Sequence, residues 1–148
     1  MKIRDFLNIE NRTVITIEPD ETASIAVQRL VENEIGAMPV CNSDGMLLGI
    51  VSERDLLKEC LTHSGAIGSI KVKDVMTKRV AIGSPDDDME YAKSVMKQKR
   101  VRHLPITVDQ KLFGIVSMRD LVDMQLEEVK AEIHYIGLIR KKTQRRLI

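Results

Sequence analysis

Two stretches of the chain run through apolar and polar positions in the same order, and each predicts the same succession of elements. In the first, Ala23, Ala26, Val27, Leu30 and Val31 recur at helical spacing. An apolar strand around Met38-Pro39-Val40 follows, then the polar turn Asn42-Ser43-Asp44-Gly45 and a second apolar strand, Leu47–Val51. A helix with Leu56, Leu57, Cys60 and Leu61 on one face closes the run. In the second stretch the helix carries Met89, Ala92, Val95 and Met96, the next strand Leu104-Pro105-Ile106, the turn Val108-Asp109-Gln110-Lys111, and the strand Leu112–Val116 leads into the last helix. Ahead of each first helix a short β-rich piece, Val14–Ile17 or Val80–Ile82, stops at a proline. An acidic stretch then opens the helix, where negative charge suits the dipole.

The two runs are a duplication. Val14-Ile15-Thr16-Ile17-Glu18-Pro19-Asp20 matches Val80-Ala81-Ile82-Gly83-Ser84-Pro85-Asp86 at an offset of 85 − 19 = 66, which falls to 65 at Gly49 and Gly114. The lead-ins correspond as well, Ile3-Arg4-Asp5-Phe6-Leu7 with Val72-Lys73-Asp74-Val75-Met76. The expected fold class is α+β, two β-α-β-β-α repeats over residues 1–66 and 67–124, with a C-terminal helix and basic tail over 125–148. Thr62 to Ser69, with Gly65 and Gly68, reads as the connection. In the last helix Val122, Leu126, Val129, Ile133 and Ile136 alternate four-three-four-three, a seam expected to pack on a dimer mate.

Composition narrows the function classes. With 23 Lys and Arg against 22 Asp and Glu, the net charge of +1 names no partner. Aromatic content of 3% without Trp argues against a stacking platform for single-stranded nucleic acid. No apolar run reaches membrane-spanning length and the N-terminus lacks a secretory h-region, so a cytoplasmic protein with no membrane partner is expected. Cys41 and Cys60 form no metal or redox spacing, and His63, His103 and His134 are scattered; no metal is expected. Asp86-Asp87-Asp88 follow Pro85 at a helix start, where they match the dipole more simply than they hold Mg²⁺. No nucleophile–base pair is readable, and an enzyme is not expected. Phosphate-binding glycine loops are absent too, so any phosphate site must use another device.

That device is present twice, as Gly49-Ile50-Val51-Ser52-Glu53-Arg54-Asp55 and Gly114-Ile115-Val116-Ser117-Met118-Arg119-Asp120. Each strand turns straight into a helix opened by a hydroxyl, with a carboxylate three residues on. Two readings stand open. Ser-x-x-Asp is a capping box that satisfies orphan backbone donors. The same corner can also dock an anion on the helix N-terminus while the carboxylate accepts the two hydroxyls of a ribose.

Duplicated units of this order ending in Gly-Ile-Val-Ser-x-Arg-Asp resemble a CBS-domain pair over about Ile3 to Met124. The resemblance implies repeats folded around a pseudo-twofold axis and dimerisation into a flat disc. It also implies a non-catalytic sensor that binds AMP, ADP, ATP or NAD between the repeats and modulates an unidentified partner protein. By the same resemblance Asp55 and Asp120 meet ribose, and Ser52, Arg54, Ser117 and Arg119 meet phosphate. Adenine then lies against Val14, Ile15, Met38 and Pro39 in one site and Val80, Ala81, Leu104 and Pro105 in the other. The repeats differ at Lys99-Arg100-Val101-Arg102-His103, opposite Asn33-Glu34-Ile35-Gly36-Ala37. Lys99 and Arg100 suit a solvated helix end. Of Arg102 and His103, strand alternation turns one inward, and His103 is the favoured phosphate contact. Gly36-Ala37 leave room for an extended ligand such as a dinucleotide. Glu53, where repeat two has Met118, makes the first corner the less favourable phosphate site. The competing function is a ligand-independent dimeric scaffold. Its basic tail, Arg140-Lys141-Lys142-Thr143-Gln144-Arg145-Arg146, could touch nucleic acid, although nucleic acid is not the expected partner of the chain.

Overall fold

The computed structural model describes residues 1–64 and 66–146, with side chains as far as residue 143. Gly65 of the expected connection and the side chains of Gln144, Arg145 and Arg146 in the expected tail lie outside the described residues. The chain divides into residues 1–116 and 117–148, and each part is taken by itself.

In the first part the helices are α1 (Ile3–Glu10), α2 (Ala23–Glu32), α3 (Glu53–Thr62), α4 (Val72–Val75) and α5 (Met89–Lys99). The strands are β1 (Ala37–Cys41), β2 (Leu47–Ser52), β3 (His103–Val108) and β4 (Lys111–Ser117), the last ending one residue into the second part. β1 pairs antiparallel with β2, Met38 opposite Val51 and Val40 opposite Gly49, with a bulge before Cys41. β3 and β4 form the second two-stranded sheet. Their connection is the residue pair Asp109-Gln110, both at positive φ (49° and 66°), the pattern of a tight hairpin turn whose twist matches its strands.

The strands expected at Val14–Ile17 and Val80–Ile82 are shorter than the alternation implies. Each contributes one parallel bridge, Ile17 to Val40 and Gly83 to Ile106. The Ile17 amide donates to the Pro39 carbonyl at 3.1 Å and its carbonyl accepts from Cys41 at 3.0 Å. The preceding rung would need an N–H on Pro39, which has none. Pro105 stops the second ladder the same way, after Gly83 donates to its carbonyl at 2.9 Å and accepts from Thr107 at 3.0 Å. The backbone of Val80-Ala81 is thereby left outside the sheet.

Ile17, Ala23, Ala26, Leu30, Met38, Val40, Val51, Leu56 and Val72 form one apolar core. Val72 belongs to the lead-in of the other repeat. The lead-ins cross over: the Ile3 and Arg4 amides donate to the carbonyls of Asp87 and Pro85, both at 2.9 Å. The Val72 and Lys73 amides donate to Glu21 and Pro19 at 2.9 and 3.0 Å, the same pair of bonds with the two repeats exchanged. The expected pseudo-twofold pairing thus has a concrete origin within residues 1–116, since each repeat caps the other. Glu21 also accepts from the Glu18 amide (2.9 Å) and both terminal nitrogens of Arg29 (2.9 and 2.6 Å). Burial works against its charge, yet these partners together hold its carboxyl below the ordinary glutamate range.

One face expected of α3 is corrected. Leu56 is buried and Cys60 half-buried, but Leu57 and Leu61 are 66% and 88% exposed. The helix turns one row, at 56 and 60, toward α2 and α4; residues 57 and 61 sit about 100° further round.

The second part is α6 (Met118–Arg146), one uninterrupted helix of 29 residues. Its first turn contains Asp120, which is buried.

Candidate functional site

Ser52 ends β2 in an extended conformation (φ −118°, ψ 164°), and α3 begins at the next residue. Its Oγ accepts from the Asp55 amide at 3.3 Å, while Asp55 Oδ2 accepts from both the amide and the hydroxyl of Ser52 at 3.0 Å. The capping box is therefore formed. It engages one carboxylate oxygen; Oδ1 takes no hydrogen bond among the described residues. Cap and ligand contact need not exclude each other, because an ionised carboxylate has acceptor capacity on both oxygens. At the second corner Asp120 Oδ2 accepts from the Ser117 amide at 2.7 Å and Ser117 Oγ from the Asp120 amide at 3.2 Å. Arg119 beside them is exposed.

The first corner opens on a cleft of about 510 Å³, a size that suits a small-molecule ligand. One wall is Ser52, Glu53, Arg54, Asp55 and Leu57 with Gly36, Ala37 and Ile50. The other comes from repeat two, Thr77, Arg79, Val80 and Ala81 with Arg100, Val101, Arg102 and His103. Of the sequence-predicted residues, Ser52, Arg54, Asp55, Val80, Ala81, Arg102 and His103 are thus brought together around one space. Val14, Ile15, Met38, Pro39, Leu104 and Pro105 do not line it. Met38, Pro39 and Leu104 are fully buried in the interior, Pro105 is buried and Val14 and Ile15 are half-buried. Ser117, Arg119 and Asp120 make up the second corner.

Four arginines line this space, Arg54 beside the two acids Glu53 and Asp55 on one wall and Arg79, Arg100 and Arg102 on the other. Such a wall favours an anion, and planar guanidinium forks match phosphate oxygens in pairs. Arg79 was not singled out by the pattern, and Arg100, expected as a solvated helix end, lines the cleft instead. Arg79 lies between the repeats' regular elements, in the segment that bridges to Ile50 through Thr77. Arg100 ends α5 in the left-handed conformation (φ 55°), and that turn of the backbone carries it onto the cleft wall. The matching residue of repeat one, Glu34, is also left-handed (φ 53°). A non-glycine residue at the end of a helix, opposite a charge of the other sign in its twin, was the signal available.

Gly36 fixes the near side. Its carbonyl accepts from the Glu53 amide at 3.0 Å. A Cβ there would stand 3.1 Å from Glu53 Oε1 and 4.0 Å from His103 Cε1, so the carboxylate of one repeat and the imidazole of the other approach over this glycine. Glu53 is thereby placed beside the cations, where it offsets part of their field. Cys41 is buried, which pushes its thiol up from the ordinary range and leaves it unreactive. Among the described residues no group of His, Cys, Asp and Glu could hold a metal ion. None of their helices is long and apolar enough to cross a membrane.

The family model of the CBS domain matches residues 3–62 and 72–127. A CBS domain-containing protein of Bacillus subtilis, YhcV, is 32% identical over 118 residues, 80% of this chain and 83% of its own length. Other curated relatives are longer, and the chain spans 21%, 60% and 35% of three of them. The crystal structure of the CBS-domain containing protein ATU1752 from Agrobacterium tumefaciens superposes with a TM-score of 0.77 at 32% identity, covering 84% of this chain and 99% of that one. The CBS domain pair of protein MJ0100, in complex with 5′-methylthioadenosine and S-adenosyl-L-methionine, shares the fold at a TM-score of 0.75 and 20% identity, covering 86% of this chain and 98% of that one.

Proposed function

The chain belongs to the CBS-domain family as a tandem pair, a regulatory module, and on that premise we propose that its cleft binds a phosphate-rich adenine nucleotide. The observation that carries the reading is the Ser52–Asp55 corner, with Asp55 Oδ1 taking no hydrogen bond among the described residues, opening on a space whose lining includes four arginines. Asp55 accepts the ribose hydroxyls, and the arginines with His103 and the α3 N-terminus hold the phosphates. Val80 and Ala81, whose backbone lies outside the sheet, flank the base. The relative MJ0100 is complexed with adenosine derivatives that carry no phosphate, one of them a sulfonium cation. Four guanidiniums oppose a cation and favour ADP, ATP or NAD here. The second corner, Ser117, Arg119 and Asp120, belongs to the same chemistry and offers a second ribose-binding acid. The protein works without catalysis, as two associated copies, and transmits nucleotide occupancy to a partner protein.

Titration calorimetry with AMP, ADP, ATP, NAD and S-adenosylmethionine tests this. ATP or NAD is expected to bind at least tenfold more tightly than S-adenosylmethionine, and Asp55→Asn to weaken that binding about tenfold or more, the scale of a lost charged hydrogen bond. No heat with any of the five, or binding indifferent to Asp55→Asn, rejects the reading. A ligand-independent scaffold is the alternative, and the closed capping boxes favour it: there Asp55→Asn costs about 1 kcal/mol of stability and nothing else.

A further inference from the structure

The longest element of the protein carries its largest run of uncovered apolar side chains. Along α6, Val122 (48%), Leu126 (50%), Val129 (50%), Ile133 (65%) and Ile136 (51%) are all exposed. They recur at four-three-four-three spacing, which lays them in one stripe. A helix of this length, about 44 Å at ~1.5 Å per residue, is ordinarily stabilised by burying such a stripe.

The charges along the helix choose the occupant. Acids fill the half that leads in, with Asp123, Glu127, Glu128 and Glu132; the other half carries Arg140, Lys141 and Lys142 and, from residue 133 on, no acid at all. Of the two bases in the acidic half, Arg119 and Lys130, the one within the stripe's span, Lys130, is already tied to Glu127 at 3.5 Å. A helix that is negative at one end and positive at the other complements its own reversed copy. Side by side in the same direction, two copies would set like charges together along their whole length. They would also stack Arg140, the next position of the stripe, on its own counterpart.

We propose that α6 pairs with α6 of a second copy of this chain in antiparallel orientation, through the stripe from Val122 to Ile136. One register satisfies both patterns. Centred on residue 131, it sets Val129 opposite the partner's Ile133 and Leu126 opposite the partner's Ile136, so the four inner layers close apolar on apolar. Val122 meets the aliphatic stem of the partner's Arg140, whose charged head reaches the rim near Asp123. The pairing deepens the two-copy reading above and is independent of the nucleotide.

Sedimentation equilibrium on the full chain, with helicity checked by circular dichroism, is the test. The unmodified chain is expected as a dimer, and Ile133→Asp as a folded monomer. Asp123→Arg, and separately Arg140→Asp, are each expected to weaken the dimer about tenfold at low salt. The two together are expected to restore it, since the reversed copies are complementary again. A parallel pair predicts no such weakening and no such rescue, so charge reversals that leave the dimer unchanged overturn the proposal. A dimer that survives Ile133→Asp also overturns it and leaves the two-copy reading in place. A monomeric unmodified chain overturns both.

Discussion

Arg100 concentrates the site's demands on the chain in one residue. Its φ of 55° is a conformation that costs a side-chain-bearing residue about 1 kcal/mol and costs glycine little. A helix end of this kind ordinarily takes glycine, yet the chain places an arginine there, on the wall of the cleft. Arg100→Gly is therefore expected to raise the melting temperature by a few degrees, the scale of ~1 kcal/mol in a small domain. The same change should weaken triphosphate binding by severalfold, both read on one sample by thermal denaturation with and without ATP. A loss of stability with unchanged binding would return Arg100 to the role of a plain helix end. Residues such as Ser52 and Asp55 were legible in the sequence because their chemistry is local: hydroxyl, two residues, carboxylate, helix. Arg79 and Arg100 were not, since what recruits them is a fold-back of one repeat on the other, and a basic helix end has an adequate local explanation.

At the scale of elements, the repeated Gly-Ile-Val-Ser signature has a packing cause at its first residue. A Cβ on Gly49 would sit 2.6 Å from the carbonyl oxygen of Thr77, whose backbone is bonded to Ile50 in both directions at 3.0 and 2.8 Å. At Gly114 the obstacle is instead the Cδ1 of Leu7, 2.7 Å away. A side-chain methyl can swing aside, whereas a hydrogen-bonded backbone cannot without losing its bonds. Gly49→Ala is expected to destabilise by about 2–3 kcal/mol and Gly114→Ala by about 1 kcal/mol, on the scale of overpacking. Urea unfolding of the two variants settles the order; equal losses would show that the bridge at Thr77 yields as easily as a leucine rotamer. The element order and the hairpin turns were legible because their signals, apolar period and turn residues, act within a few positions. The first strands were overextended because alternation reads side chains only. What ends those ladders is a missing N–H at Pro39 and Pro105, on the neighbouring strand some 20 residues downstream.

For the molecule as a whole, duplication was legible from the offset, but the crossing of the lead-ins was not, because it is a contact between parts each of which also looks self-contained. Ile3 and Arg4 hold the Pro85–Asp87 segment, and Val72 and Lys73 hold Pro19–Glu21. Residues 11–76 therefore contain everything that closes the apolar core around Ile17 and Val72, while the Pro85–Asp87 segment is held from the opposite end of the first 116 residues. Ribosomal synthesis delivers these pieces unequally. Once residue 76 has left the exit tunnel the earlier half can fold, but α1 must wait as an orphan until its distant counterpart is translated. Nascent chains stalled with about 80 residues outside the tunnel should resist protease from Thr13 onward while being clipped within the first ten residues. Those with the full 116 emerged should resist throughout.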